Sequence, residues 1–176
     1  SCSKEKAGNA NPDDHYYISF KANGVQKEYS SNGVTFFGPQ DTSGIYTGIL
    51  GAYYDVVGSG EPQLSLILMS RNPCTDPAVY QDPDKAVTNA GVREPQVVIT
   101  YLEQGNTDGY QSLGLFSDLT GQPGGYFEHA VADAKATITE VTSTYVKGNF
   151  SATTYKSTDV SQVVNLTEGK FYLPRQ

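Results

Sequence analysis

The chain holds two histidines, His15 and His129, and acid–base chemistry would have to start from them or from carboxylates. His129 follows Glu128, and such a pair could serve as acid and base, although a solvated loop edge is the commoner role for that dipeptide. Asp82 and Asp84 lie two apart in a proline-rich stretch. With Glu128 they could hydrolyse a polymer, provided the fold set two carboxyl groups about 5–10 Å apart across a cleft. Asp13, Asp14 and His15 could catch a metal ion, but without further ligands such a site is weak. No Gly-x-Ser-x-Gly elbow frames a serine nucleophile, and Gly58-Ser59-Gly60 reads as a turn. Asn106-Thr107-Asp108-Gly109 begins like a calcium loop but has no glutamate at the closing distance. Gly124-Gly125 lacks the lysine and the strand–helix setting of a phosphate cradle. The two cysteines, Cys2 and Cys74, cannot make a disulfide framework or a cysteine zinc site. No catalytic residue, metal ligand or cofactor is assigned.

Tyrosine is the remaining candidate. The chain has 13 tyrosines and no tryptophan. Tyr53, Tyr54, Tyr80, Tyr110 and Tyr126 fall at or near expected loops and strand ends. A tyrosine offers a flat apolar ring and a hydroxyl, which suits both sugars and protein surfaces. Tyrosines on strands more often simply cover a sheet, and the missing tryptophan weakens a sugar reading. A glycan and a protein partner both stay open.

These side chains need a scaffold, and its pattern is β. From Thr144 to Leu173, Val146, Phe150 and Ala152 share one parity and Lys147, Asn149, Ser151 and Thr153 the other, the two-residue period of a half-buried strand. Val164 and Leu166 point inward on even numbers, then Phe171 and Leu173 on odd ones, so Glu168-Gly169 is expected to be a bulge. The result is a closing hairpin. Upstream, Tyr16–Lys21 and Val25–Ser30 flank Asn23-Gly24, a hairpin turn because both residues accept positive φ. A second Asn-Gly, Asn32-Gly33, leads into Val34–Phe37. Ile45–Asp55 and Gln63–Ser70 form a longer hairpin, with Leu64, Leu66 and Leu68 on one face. Gln96–Glu103, a weaker Tyr110–Phe116 and Ala134–Thr142 complete the strands. Between them, Arg71–Pro95 carries four prolines and is too long for a simple connection, so it is expected to be an ordered lid or rim. Asp82 as N-cap, Pro83 at the first position and Gly91 as stop predict a short helix there. The expected fold is an antiparallel β-sandwich, or else a closed or partly open β-barrel, with one short helix in a long loop.

At 176 residues the chain suits one domain, residues 15–176, preceded by a polar stretch, residues 1–14, expected to be a disordered tether. A formal charge of −7 and the absence of any Lys or Arg run argue against nucleic acid and against charge-driven membrane binding. No stretch approaches the ~20 apolar residues of a spanning helix. Cys2, followed by the polar tract Lys4–Asp14, resembles the lipid-modified cysteine of a bacterial lipoprotein, whose thiol carries a diacylglycerol. Cys2 and Cys74 could pair in an oxidising compartment; with Cys2 acylated, Cys74 would be a lone thiol.

Tyr17-Ile18-Ser19-Phe20-Lys21-Ala22-Asn23-Gly24-Val25 resembles the opening motif of small lipoprotein domains common in Bacteroidetes. So do Val146-Lys147-Gly148-Asn149-Phe150-Ser151-Ala152 and Leu166-Thr167-Glu168-Gly169-Lys170-Phe171. The resemblance implies a β-rich fold and an outer-membrane lipoprotein of the cell envelope, on its periplasmic or surface side, and carries no catalytic residues. The tract Ser3-Lys4-Glu5-Lys6 departs from the strongly acidic tract that marks surface export in some of these bacteria. The expectation is a lipid-anchored, non-enzymatic binding module for a glycan or a protein. The alternatives are a hydrolase of envelope polymers using Asp82, Asp84 and Glu128, and an assembly factor pairing through a sheet edge.

Overall fold

The computed structural model describes residues 15–30, 33–52, 63–85, 87–89, 92–103, 106, 108–114 and 130–175. Within them the chain is all-β. The strands are β1 Tyr17–Ala22, β2 Val25–Ser30, β3 Gly33–Phe37, β4 Tyr46–Ala52, β5 Gln63–Ser70, β6 Ala78–Gln81, β7 Val87–Asn89, β8 Val92–Glu94, β9 Gln96–Leu102, β10 Tyr110–Ser112, β11 Lys135–Val141, β12 Tyr145–Lys156 and β13 Asp159–Pro174.

The closing hairpin is the spine of the sheet. β12 lies antiparallel to one side of β13, and β1 pairs with its other side. Val146, Phe150, Ala152, Val164, Leu166, Phe171 and Leu173 are buried, as the alternation requires. The switch of parity in β13 is made by a bulge, where the register with β1 and with β12 shifts. Glu168, not Gly169, takes the left-handed backbone there, with φ of 52°. Gly169 meets a different demand: a Cβ on it would lie 2.7 Å from the Phe150 ring and 2.4 Å from the Phe150 carbonyl oxygen. At the first hairpin, Asn23 and Gly24 both have positive φ, 47° and 82°, the backbone that a two-residue turn needs.

Five strands close on themselves. β12 pairs β11, β11 pairs β6, β9 pairs β10, and β10 returns to β12. The last gap is spanned by a parallel bridge between Gln81 of β6 and Gln96 of β9. This small barrel carries extra strands on both sides, β13–β1–β2 beyond β12 and β5–β4–β3 beyond β9. Phe20 of β1 meets Tyr101 of β9 edge-on at 5.5 Å and Phe150 at 5.9 Å. Strands from the added and the closed parts therefore share one core, with Ile18, Leu50, Leu66, Ile99, Ile138 and Phe171 in it. Aromatic pairs of this kind add to the area they bury.

The stretch 71–95 departs from expectation. The described residues at its predicted place form a turn and a strand, not a helix. Asp82 Oδ1 accepts the N–H of Asp84, and the N–H of Lys85 donates to the Asp82 carbonyl at 2.8 Å, so Asp82-Pro83-Asp84-Lys85 is a β-turn. Asp at the first turn position and Pro at the second favour a turn as strongly as a helix start. β7 then pairs β8 in a two-stranded ribbon apart from the main sheet. Within the stretch, β6 is part of the sheet and completes the barrel.

Candidate binding face

Of the tyrosines singled out by sequence, Tyr80 and Tyr110 lie within the described residues. Tyr80 lies on β6 and is 1% exposed, its hydroxyl turned to the Cys74 thiol, which in turn donates to the Tyr46 carbonyl at 3.5 Å. Burial drives the Tyr80 phenol well above its usual range, with the nearby Cys74 adding to the shift. Tyr110 is also buried, on β10, with its ring 6.4 Å from that of Tyr101. Both occupy inward positions of barrel strands, so neither can present a ring to a ligand. Cys2, Tyr53, Tyr54 and Tyr126 lie outside the described residues, as do Glu128 and His129.

The carboxylates also separate in character. Asp82 is fully buried, and desolvation, the largest cause, raises its carboxyl above the ordinary 3.8. Backbone N–H groups of Asp84 and Gly114 oppose that shift only in part. Asp84, by contrast, pairs with Arg93 at 2.9 Å on the surface. An inaccessible carboxyl and a salt-bridged one do not form a cleft pair.

A different set of side chains comes together on the outward face of β1, β13, β12 and β11. Residues of non-core parity line up across the strands: Tyr17 faces Tyr172, Tyr172 faces Lys147, and Lys147 faces Glu140. One step along, Ser19 faces Lys170, Lys170 faces Asn149, and Asn149 faces Thr137. Tyr172 is the hub of the first row. The rings of Tyr16, Tyr17 and Tyr145 lie 5.0, 6.4 and 5.2 Å from it, so it is covered while its neighbours stay half-exposed. The Lys147 ammonium sits 4.7 Å above the Tyr172 ring and 4.8 Å above that of Tyr145, within cation–π range. Glu140 fixes the far end, accepting the Tyr145 hydroxyl at 2.6 Å and lying 3.9 Å from Lys147.

Two shallow depressions adjoin on this face. One, of about 430 Å³, is lined by Tyr17, Thr139, Lys147, Asn149, Lys170 and Tyr172. The other, of about 420 Å³, is bordered by Lys135, Asn149, Ser151, Glu168 and Lys170. They share Asn149 and Lys170 and so form one open groove. Its chemistry is an aromatic edge, ammonium groups, a carboxamide and hydroxyls. That set can stack on and hydrogen-bond a polyhydroxylated ligand. The sequence alternation already places Lys147, Asn149 and Ser151 outward. An outward row on a strand looks like any solvated face until the neighbouring strands are known, so the grouping with Tyr17, Tyr172 and Lys170 was not visible.

No family model, curated protein or solved structure matches this chain.

Proposed function

We propose that the protein is a binding module whose outward β1–β13–β12–β11 face holds a glycan. The observation that carries this is the row Tyr17–Tyr172–Lys147 beside the row Ser19–Lys170–Asn149–Thr137 on an open, nearly flat surface. Half-exposed tyrosine rings give an apolar platform for the C–H face of a sugar, and Asn149, Thr139 and the lysines give directional hydrogen bonds around it. We further read the added strands on either side of the barrel as two layers of a sandwich. In that arrangement one layer turns its outer surface, the proposed site, to solvent.

The resemblance to small Bacteroidetes lipoprotein domains adds a cellular setting to this proposal: attachment through a lipid on Cys2 and residence at the outer membrane. The binding reading is tested on a glycan array with wild type, Tyr17→Ala and Asn149→Ala. Wild-type binding lost in both variants, at unchanged melting temperature, supports the face; binding retained in both moves the site elsewhere. The anchor is tested separately by detergent partition of the full chain in its host, where Cys2→Ser is expected to move the protein to the soluble fraction. Wild-type protein found wholly soluble with an unmodified Cys2 would remove the anchor without touching the binding face.

A further inference from the structure

Resting on the glycan-binding reading above, we infer that the ligand is an acidic polysaccharide, bearing carboxylate or sulfate groups, whose anions are met by Lys147 and Lys170. The chain as a whole carries a formal charge of −7, yet the groove is locally cationic. Lys135, Lys147 and Lys170 line the two depressions, and Glu168 is the one acidic residue lining either of them among the described residues. The Glu168 carboxylate is already engaged by Lys21 at 2.7 Å. Glu140 stands beside Lys147 at the edge, where it also accepts the Tyr145 hydroxyl.

The two lysines are placed differently, and the difference suits a polymer. Lys147 is steered by the Tyr145 and Tyr172 rings, so its ammonium is held beside the aromatic platform. Lys170 is exposed, lines both depressions, and has no ion-pair partner among the described residues. Since Lys147 lies opposite Tyr172, Lys170 is its diagonal neighbour on the same face, with side-chain origins about 7–8 Å apart. Lys135, on β11 at the other end of the groove, extends the line of positive charge. A neutral sugar would leave the unmatched Lys170 charge unused, whereas an anion on the chain would answer it. In a net-negative protein, a charge of the opposite sign gathered in one groove also steers an anionic ligand there.

The test measures binding of the full chain to polygalacturonate and chondroitin sulfate as acidic probes, dextran and laminarin as neutral ones, and vesicles of phosphatidylglycerol. The variants are Lys147→Gln, Lys170→Gln, their double, Lys170→Arg and Tyr17→Ala, each checked for an unchanged melting temperature. The expected result is binding to an acidic probe that weakens with added salt and falls about two- to fivefold per lysine removed, with Lys170→Arg close to wild type. Binding to neutral probes alone, lost in Tyr17→Ala and unaffected by the lysine variants, would overturn the acidic ligand and keep the glycan face. Binding to the vesicles but to no polysaccharide, or to none of the probes, would overturn both.

Discussion

Phe150 stands directly opposite Gly169 in the β12–β13 ladder, and its ring fills the space a Gly169 side chain would need. The relation is repeated in reverse two residues away. Phe171 stands opposite Gly148, and a Cβ on Gly148 would come within 2.3 Å of the Phe171 ring and 2.1 Å of the Thr137 carbonyl oxygen. Two Gly-x-Phe runs in antiparallel register thus lock each ring over the other strand's glycine. This reciprocal packing gives a physical reason for the motif shared by Gly148-Asn149-Phe150 and Gly169-Lys170-Phe171.

Phe150→Ala and Phe171→Ala should each destabilise the protein by about 3–5 kcal/mol. Gly148→Ala should also be costly, at about 1–3 kcal/mol or more, because the obstacles are a backbone oxygen and a buried ring. Urea titration of the three variants is the measurement. Midpoints within error of wild type would mean the rings do not pack over the glycines.

Removing residues 79–90 takes out most of β6 and should open the barrel. The shortened chain is expected to lose cooperative unfolding, and Tyr80→Ala alone should cost about 3–5 kcal/mol, the range for losing a buried aromatic ring. Near-native melting of the deletion, followed by circular dichroism, would show that β6 is dispensable.

Asp82 gives a pH signature of unusual sign. Its carboxyl in the folded protein lies above the ordinary 3.8 because burial penalises the charge. Between the unfolded and folded values the folded state holds more protons, so this group makes stability fall as pH rises through that window and stay level above it. Asp82→Asn removes the titration. The stability difference between the variant and wild type should therefore shift in the variant's favour from about pH 4 upward. Parallel curves for the two proteins, measured by urea titration at several pH values, would contradict the buried carboxyl.

Cys74 should be protected from alkylation in the native protein. The residue is 2% exposed and its thiol is pushed up by burial, although contacts from Tyr80 and Gly48 partly oppose the shift. Iodoacetamide labelling at Cys74 in a Cys2→Ser background is expected to follow the rate or population of opening. Rapid labelling without denaturant would place the thiol at the surface.

Much of the strand pattern was legible because one face of each strand is buried and the other is not. Leu64, Leu66 and Leu68 alternate with half-buried neighbours, and Asn23-Gly24 turns as its residue types require. The barrel closure was not legible. β6 has four residues amid prolines, too short for a period to show, and its partners β11 and β9 are distant in sequence. The expected helix failed because Asp82-Pro83-Asp84 satisfies both helix-start and turn geometry, and the following Val87-Thr88 favours a strand. The proposed binding face is illegible for a related reason: the tyrosines and lysines that gather there come from separate strands. Their neighbourhood is set by register, which sequence alternation alone does not fix.

The pairing of Tyr17 with Tyr172 also sets an order of events on the ribosome. The β1–β2 hairpin is made well before β13, the strand that flanks β1 on its other side and lies more than 130 residues further along the chain. At ~5–20 residues per second, translation covers the distance in on the order of ten seconds. During that time Ile18, Phe20 and Ala22 belong to a hairpin whose second edge is unfilled, and a lone two-stranded hairpin is only marginally stable. The nascent chain must therefore carry an apolar, edge-open element until β13 is made, and a pause before β13 would prolong its exposure to other chains.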